Sequence, residues 1–351
     1  MWMIENDTPF SAERCWVRDK NGAEVWLVAV KGTFLIAPDG STQVADQQEK
    51  VCLSPVYRGE PGESSLLYDS DLHHTKLNTD VVLNAHAYAP QGRPTKQIDV
   101  TLRVANVNKT LRVFGDRVWR PALIGLKLTD PKPFTKMPVI YERAFGGRDQ
   151  TSEEPRHHTW DERNPVGVGF AVRQEKLIGR PAPNVESRSA PITTWKSRPN
   201  PVGFGPIAGH WKPRVQFAGT YDEKWATERQ PLLPMDFDER FYQCAPADQQ
   251  TKGFLVGGEL VELSNLTPTG TLSFRLPRQT LGFKTDFDDG TSTLHRCSLH
   301  TVIIEPDVPR VMLVWHTHLP CHHKVLKLKT TNVTLKRPLN AARSDSAEAF
   351  A

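Results

Sequence analysis

The chain has 351 residues, 38% of them hydrophobic and 24% charged, and its 44 lysines and arginines against 40 aspartates and glutamates leave a formal charge of +4. That composition excludes a largely disordered chain, and the near balance of charge gives no electrostatic case for a nucleic-acid partner. No apolar run approaches the roughly 18 residues of a spanning helix, so no membrane insertion is expected.

The N-terminal MWMIENDTPF has neither the basic nor the apolar segment of a secretory signal. Together with the odd and widely spaced Cys15, Cys52, Cys244, Cys297 and Cys321, which suggest no disulfide framework, it leads us to expect a protein of the reducing cytoplasm. Residues 24–36, EVWLVAVKGTFLI, are apolar on both alternating sides, as in a strand covered on both faces. Residues 97–114 alternate, break at Asn106-Val107-Asn108 and resume as TLRVF, the pattern of a hairpin. Residues 1–135 are therefore assigned as the N-terminal β part of a core.

Residues 136–250 differ. They are rich in proline, poor in alternation, and yet carry Trp160, Trp195, Trp211, Trp225, Phe204, Phe217, Phe237, Phe241 and Tyr242. Disordered segments lack aromatics, so this stretch is predicted to be an ordered, loop-rich layer packed on the core. It holds two near-identical runs, NPVGVG at 164–169 and NPVGFG at 200–205. A phosphate loop would need a strand, a helix and a lysine or third spaced glycine around it, none of which is evident, and no cofactor is expected. Asn164, Pro165, Gly167 and Gly169, and Asn200, Pro201, Gly203 and Gly205, are better explained as compact structural turns. A short helix is predicted at 221–229, stopped by Gln230-Pro231. HWKPR, 210–214, suits recognition of an extended peptide, with Trp211, Lys212 and Arg214 joined by Phe237, Arg240 and Phe241 as the candidate partner-binding residues. The alternative is that Trp211 is core and Lys212 and Arg214 are solvated.

From 251 to 340 five β-rich runs (253–263, 271–277, 298–305, 310–318 and 325–336) are separated by turn residues too few for crossover helices, so antiparallel pairing follows. Residues 251–340 are the C-terminal part of the same core, and 341–351 a polar, fraying tail. The whole is expected to be mainly β: an antiparallel sandwich-like core with a long loop-rich, proline- and aromatic-rich middle and few short helices. HTHLPCHH, 316–323, could hold a metal through His316, His318, Cys321 and His323, since alternate histidines share a strand face. No Cys-x-x-Cys accompanies it, and no Gly-x-Ser-x-Gly elbow exists. Asp69/Asp71 and Asp236/Asp238 have spacing open to calcium or glycosidase chemistry, although loop carboxylates and helix caps commonly look the same.

Several phrases taken together are more specific: NDTPF at 6–10, the run 68–92 beginning YDSDLHHTKL, YERAFGG at 141–147, NPVGFG, and the run 218–250 that includes FYQCAPADQQ. In this order they resemble the bacterial family of unknown function DUF2169, encoded beside type VI secretion genes, from about residue 6 to residue 335. The resemblance implies a non-enzymatic adaptor or chaperone that binds a secreted effector protein in the cytoplasm and helps load it onto the spike through a VgrG or PAAR-like protein. No catalytic residues carry over, and the matched phrases are determinants of either fold or partner. His73-His74 departs from the usual filling of its phrase. Two other classes stay open on the residues alone: a metal-dependent hydrolase using the 316–323 histidines, and a carbohydrate-binding β-sandwich.

Overall fold

The computed structural model describes residues 2–336; the expected tail at 341–351 lies outside them. In chain order the principal strands are β1 (Met3–Asn6), β2 (Ser11–Arg18), β3 (Glu24–Ile36), β4 (Thr42–Val44), β5 (Asp80–Leu83), β6 (Gln97–Val104), β7 (Val107–Phe114) and β8 (Val185–Ser187). They continue as β9 (Leu260–Ser264), β10 (Thr271–Arg275), β11 (Leu281–Phe287), β12 (Ser292–His295), β13 (Cys297–Glu305), β14 (Arg310–Thr317), β15 (Leu319–Pro320) and β16 (Leu328–Leu335). Over the described residues the chain is mainly β, in several antiparallel sheets with two short helices and no closed barrel.

The seven-stranded sheet runs β2-β3-β14-β13-β5, with β4 and β15 also on β3. Strand β3 is buried without a break from Val25 to Phe34, as its two-sided apolar sequence requires. A five-stranded antiparallel sheet, β8-β7-β6-β9-β10, contains the expected hairpin. Its turn is at Ala105-Asn106, one step earlier than the sequence suggests: Ala105 takes φ +49°, and Val107 is already buried in β7. The four-stranded sheet, β1-β16-β11-β12, joins the two ends of the described chain. There β1 runs parallel to β16, with Met3 opposite Thr330, and β5 is likewise parallel to β13. Antiparallel pairing therefore holds among the C-terminal strands, whereas these two pairs of an N-terminal with a C-terminal strand are parallel.

One large core draws on all three sheets, including Trp26, Val28, Leu102, Leu111, Val261, Phe283 and Leu313. A smaller cluster collects Trp119, Phe145, Ala171, Leu177, Ala182 and Ile192. Among the described residues no helix is long and apolar enough to cross a membrane.

The predicted short helix is Glu223–Glu228, begun by the Asp222 side chain accepting from Trp225 N. The two NPVG runs meet at one place, the turn Tyr141–Arg143 of YERAFGG. Asn164 Nδ2 donates to the carbonyl oxygens of Tyr141 and Phe145, at 2.8 and 3.0 Å. Gly203 lies under the Tyr141 ring, where a Cβ would come within 3.0 Å of ring carbon. Gly146, at φ +145°, allows the Asn164 carbonyl to approach to where a Cβ would stand. The twin runs thus pack on a single junction around Tyr141.

Candidate interaction surface

Several polar side chains of the runs 68–92 and 218–250 meet in the interior. Asp71 pairs with the buried Lys31 of β3 at 3.0 Å, and Asp69 with Arg214 at 2.7 Å. Lys76 pairs with Asp80 at 2.6 Å, both fully enclosed. Asp80 also accepts from Gln243 Nε2 at 2.8 Å and from Cys244 N at 2.7 Å. Gln249 Nε2 donates to the carbonyl oxygens of Val81 and Phe204, and Lys109 donates to Gln249 and Asp248. Burial alone would lower the pKa of Lys76, but the Asp80 carboxylate outweighs it and the ammonium is held charged. A framework of paired polar groups of this kind holds loops to sheets, and its acids and bases are engaged with one another.

Three of the six partner residues expected from sequence belong to that interior. Trp211 is 1% exposed and meets Tyr141 edge-on at 5.3 Å between ring centres. Arg214 is buried, donating to the carbonyl oxygens of Phe241 and Ile207 besides Asp69. Phe237 is buried against Phe241 and Tyr242. A side chain with no free surface cannot anchor a partner, so Trp211, Arg214 and Phe237 support the surface from beneath. Phe241 is half-buried. Lys212 and Arg240 are exposed, the first bonded to Glu162 at 2.8 Å and the second lying over the Phe217 ring.

The 316–323 ligand set does not assemble. His316 points into the protein, and His318 Nε2 lies 3.2 Å from His74 Nε2. The buried Cys321 thiol donates to the Leu319 carbonyl oxygen, while His323 is exposed on a turn at φ +66°. Among the described residues no three His, Cys, Asp or Glu side chains are grouped to hold a metal ion. His73 and His300 instead stack with His316, at 5.0 and 4.8 Å between ring centres, and His73 Nε2 is 3.2 Å from His300 Nδ1. Burial first, and then the nearby Lys76 ammonium, pushes His316 down to about 3; burial dominates the lowering of His73 and His300 as well. The His73-His74 departure thus lands in an interior histidine cluster that joins the 70–76 loop to β13 and β14. Nothing in sequence spacing announces it, because His73 lies 227 positions from His300.

The open surface lies beside HWKPR. Trp160, 51% exposed, stands on the two-residue strand Thr159–Trp160, opposite Arg148. On one side is a groove of about 720 Å³, bordered by Trp160, Lys212, Val215, Arg148 and His210. On the other is a groove of about 540 Å³, bordered by Trp160, Arg163, Phe170 and Arg198. Glu162 and Asp161 supply its carboxylates, already paired with Lys212 and Arg163. The result is an aromatic ridge between two open depressions with a surplus of arginine and lysine. Trp160 is one aromatic of many in this layer, and hydropathy carries no signal that this one faces outward.

The profile of a family described as an uncharacterized protein conserved in bacteria, DUF2169, matches residues 21–316. The chain belongs to this family. No curated protein and no solved structure matches the chain. In this DUF2169 protein the matched span begins just before β3, takes in both grooves flanking Trp160, and ends at His316 of β14.

Proposed function

We propose that this DUF2169 protein is a non-enzymatic adaptor: in the bacterial cytoplasm it binds a type VI secretion effector and helps load it onto the spike through a VgrG or PAAR-like protein. The observation that carries this reading is Trp160, half-exposed between two adjoining open grooves edged with arginine, lysine and aliphatic carbon. Tryptophan and arginine on an accessible ridge are the residues that dominate binding energy between proteins. Asp69, Asp71, Lys76, Asp80 and the stacked histidines, all of types that could do chemistry, are by contrast turned inward and bonded or packed together. The likeness of its sequence phrases to type VI-associated proteins supplies the class of partner. The test is to mix the purified protein with the effector encoded beside it and pass the mixture over a sizing column; co-elution is expected, and separate elution at micromolar concentrations counts against the reading.

A further inference from the structure

The hairpin 119–128 ends in the most exposed aliphatic pair among the described residues. Its base is fixed: Trp119 is buried in the smaller core, and Arg120 is paired with Lys127 across the two short strands. The chain then turns through Ala122-Leu123-Ile124-Gly125, closed by Ala122 N donating to the Gly125 carbonyl oxygen. Leu123 is fully exposed and Ile124 is 90% exposed. Behind the tip, Ile124 shares an open depression with Val172, which is 58% exposed, Trp195, Arg173 and Lys196.

Around this point the charge is one-sided. Arg120 and Lys127 flank the tip on the hairpin itself, with Arg173 and Lys196 beside it, and Glu175 is the one carboxylate bordering the depression. The neighbouring Asp116 and Asp130 are turned toward Arg143 and Lys96. Among the described residues, Arg120, Lys127, Arg173 and Lys196 therefore have no ion-pair partner.

We propose that this tip docks on an anionic lipid bilayer, with Leu123 and Ile124 entering the headgroup boundary and the four cations meeting lipid phosphates. A protruding pair of aliphatic side chains on a rigid hairpin, ringed by lysine and arginine, fits an interface that is apolar at shallow depth and anionic above. A contact of this depth needs no spanning segment, and it is independent of effector binding at the Trp160 ridge.

The experiment is co-sedimentation of the full chain with vesicles of phosphatidylcholine alone or with about one-third phosphatidylglycerol. The wild type is expected to partition at least about tenfold more onto the anionic vesicles and to release as salt rises from about 0.1 to about 0.5 M. Leu123→Ser with Ile124→Ser, at positions that support no packing, should lower partitioning about tenfold while leaving the melting temperature unchanged. No sedimentation with anionic vesicles, or equal sedimentation of wild type and double variant, overturns the proposal. So does either of two other outcomes without lipid: a dimer that the double variant converts to monomer, which assigns the tip to a second copy, or loss of the effector complex alone, which assigns it to a protein groove.

Discussion

Asn164 donates to the backbone carbonyl oxygen of Tyr141 at 2.8 Å, tying one NPVG run to the turn on whose aromatic ring the other rests. The same Nδ2 reaches the Phe145 carbonyl oxygen, and Asn164 is completely buried. Replacing it with alanine leaves two enclosed carbonyl groups without this donor. Asn164→Ala should lose about 2–4 kcal/mol of stability in urea titrations. A loss no greater than that of a surface substitution would show that the junction is not what these turns are for.

Lys76 and Asp80 form a charged pair with no solvent around it. Lys76→Met removes one charge and leaves the Asp80 carboxylate enclosed, so it should destabilise by about 3–5 kcal/mol. Adding Asp80→Asn to Lys76→Met should recover part of that loss, because the stranded charge is gone. Strict additivity of the two single losses in a double-mutant cycle would contradict the coupling.

The histidine cluster makes stability depend on acidity. His316 sits at about 3 in the folded protein against 6.5 for an unperturbed ring. His73 and His300 are displaced the same way, and Lys76, His74 and His318 stand close by. The unfolded chain therefore binds protons more readily: the cluster's contribution is complete above about pH 6.5 and falls away as the pH drops toward about 3, by up to about 1.4 kcal/mol per pH unit for each ring. His316→Leu should make the acid side of the stability curve shallower. An unchanged slope between about pH 6 and about pH 4, where the unfolded chain carries the ring's proton and the folded protein does not, is the contrary result.

The β framework was readable where strands are neighbours in sequence, because alternation and turn residues act locally. The 97–114 hairpin and five C-terminal runs belong here. LGFKTDF, 281–287, also buries Leu281, Phe283, Thr285 and Phe287 on one side; its alternation is present in the sequence but is masked by the turn residues around it. The β1–β16 pairing was not readable, since its register is set between residues some 327 positions apart, Met3 and Thr330. The surface was less legible still. Tryptophan in a proline-rich segment can be core or ridge: Trp211 of HWKPR is buried edge-on against Tyr141, whereas the ring of Trp160 faces outward. The histidine cluster is a product of tertiary folding that no local spacing encodes.

Trp211 and Trp160 consequently separate packing from binding. Trp211→Ala empties a large buried volume and should lower stability by about 3–5 kcal/mol. Trp160→Ala, on an exposed two-residue strand, should change stability by less than about 0.5 kcal/mol.

The most direct measurement is the dissociation constant of the complex between this protein and its neighbouring effector, for wild type and for Trp160→Ala, at a temperature where both are fully folded. The account predicts a complex that the substitution weakens by at least about thirtyfold, the effect of losing a central aromatic anchor. A wild-type complex bound just as tightly by Trp160→Ala would place the partner elsewhere on the molecule, and a wild-type protein that binds no effector would contradict the adaptor reading itself.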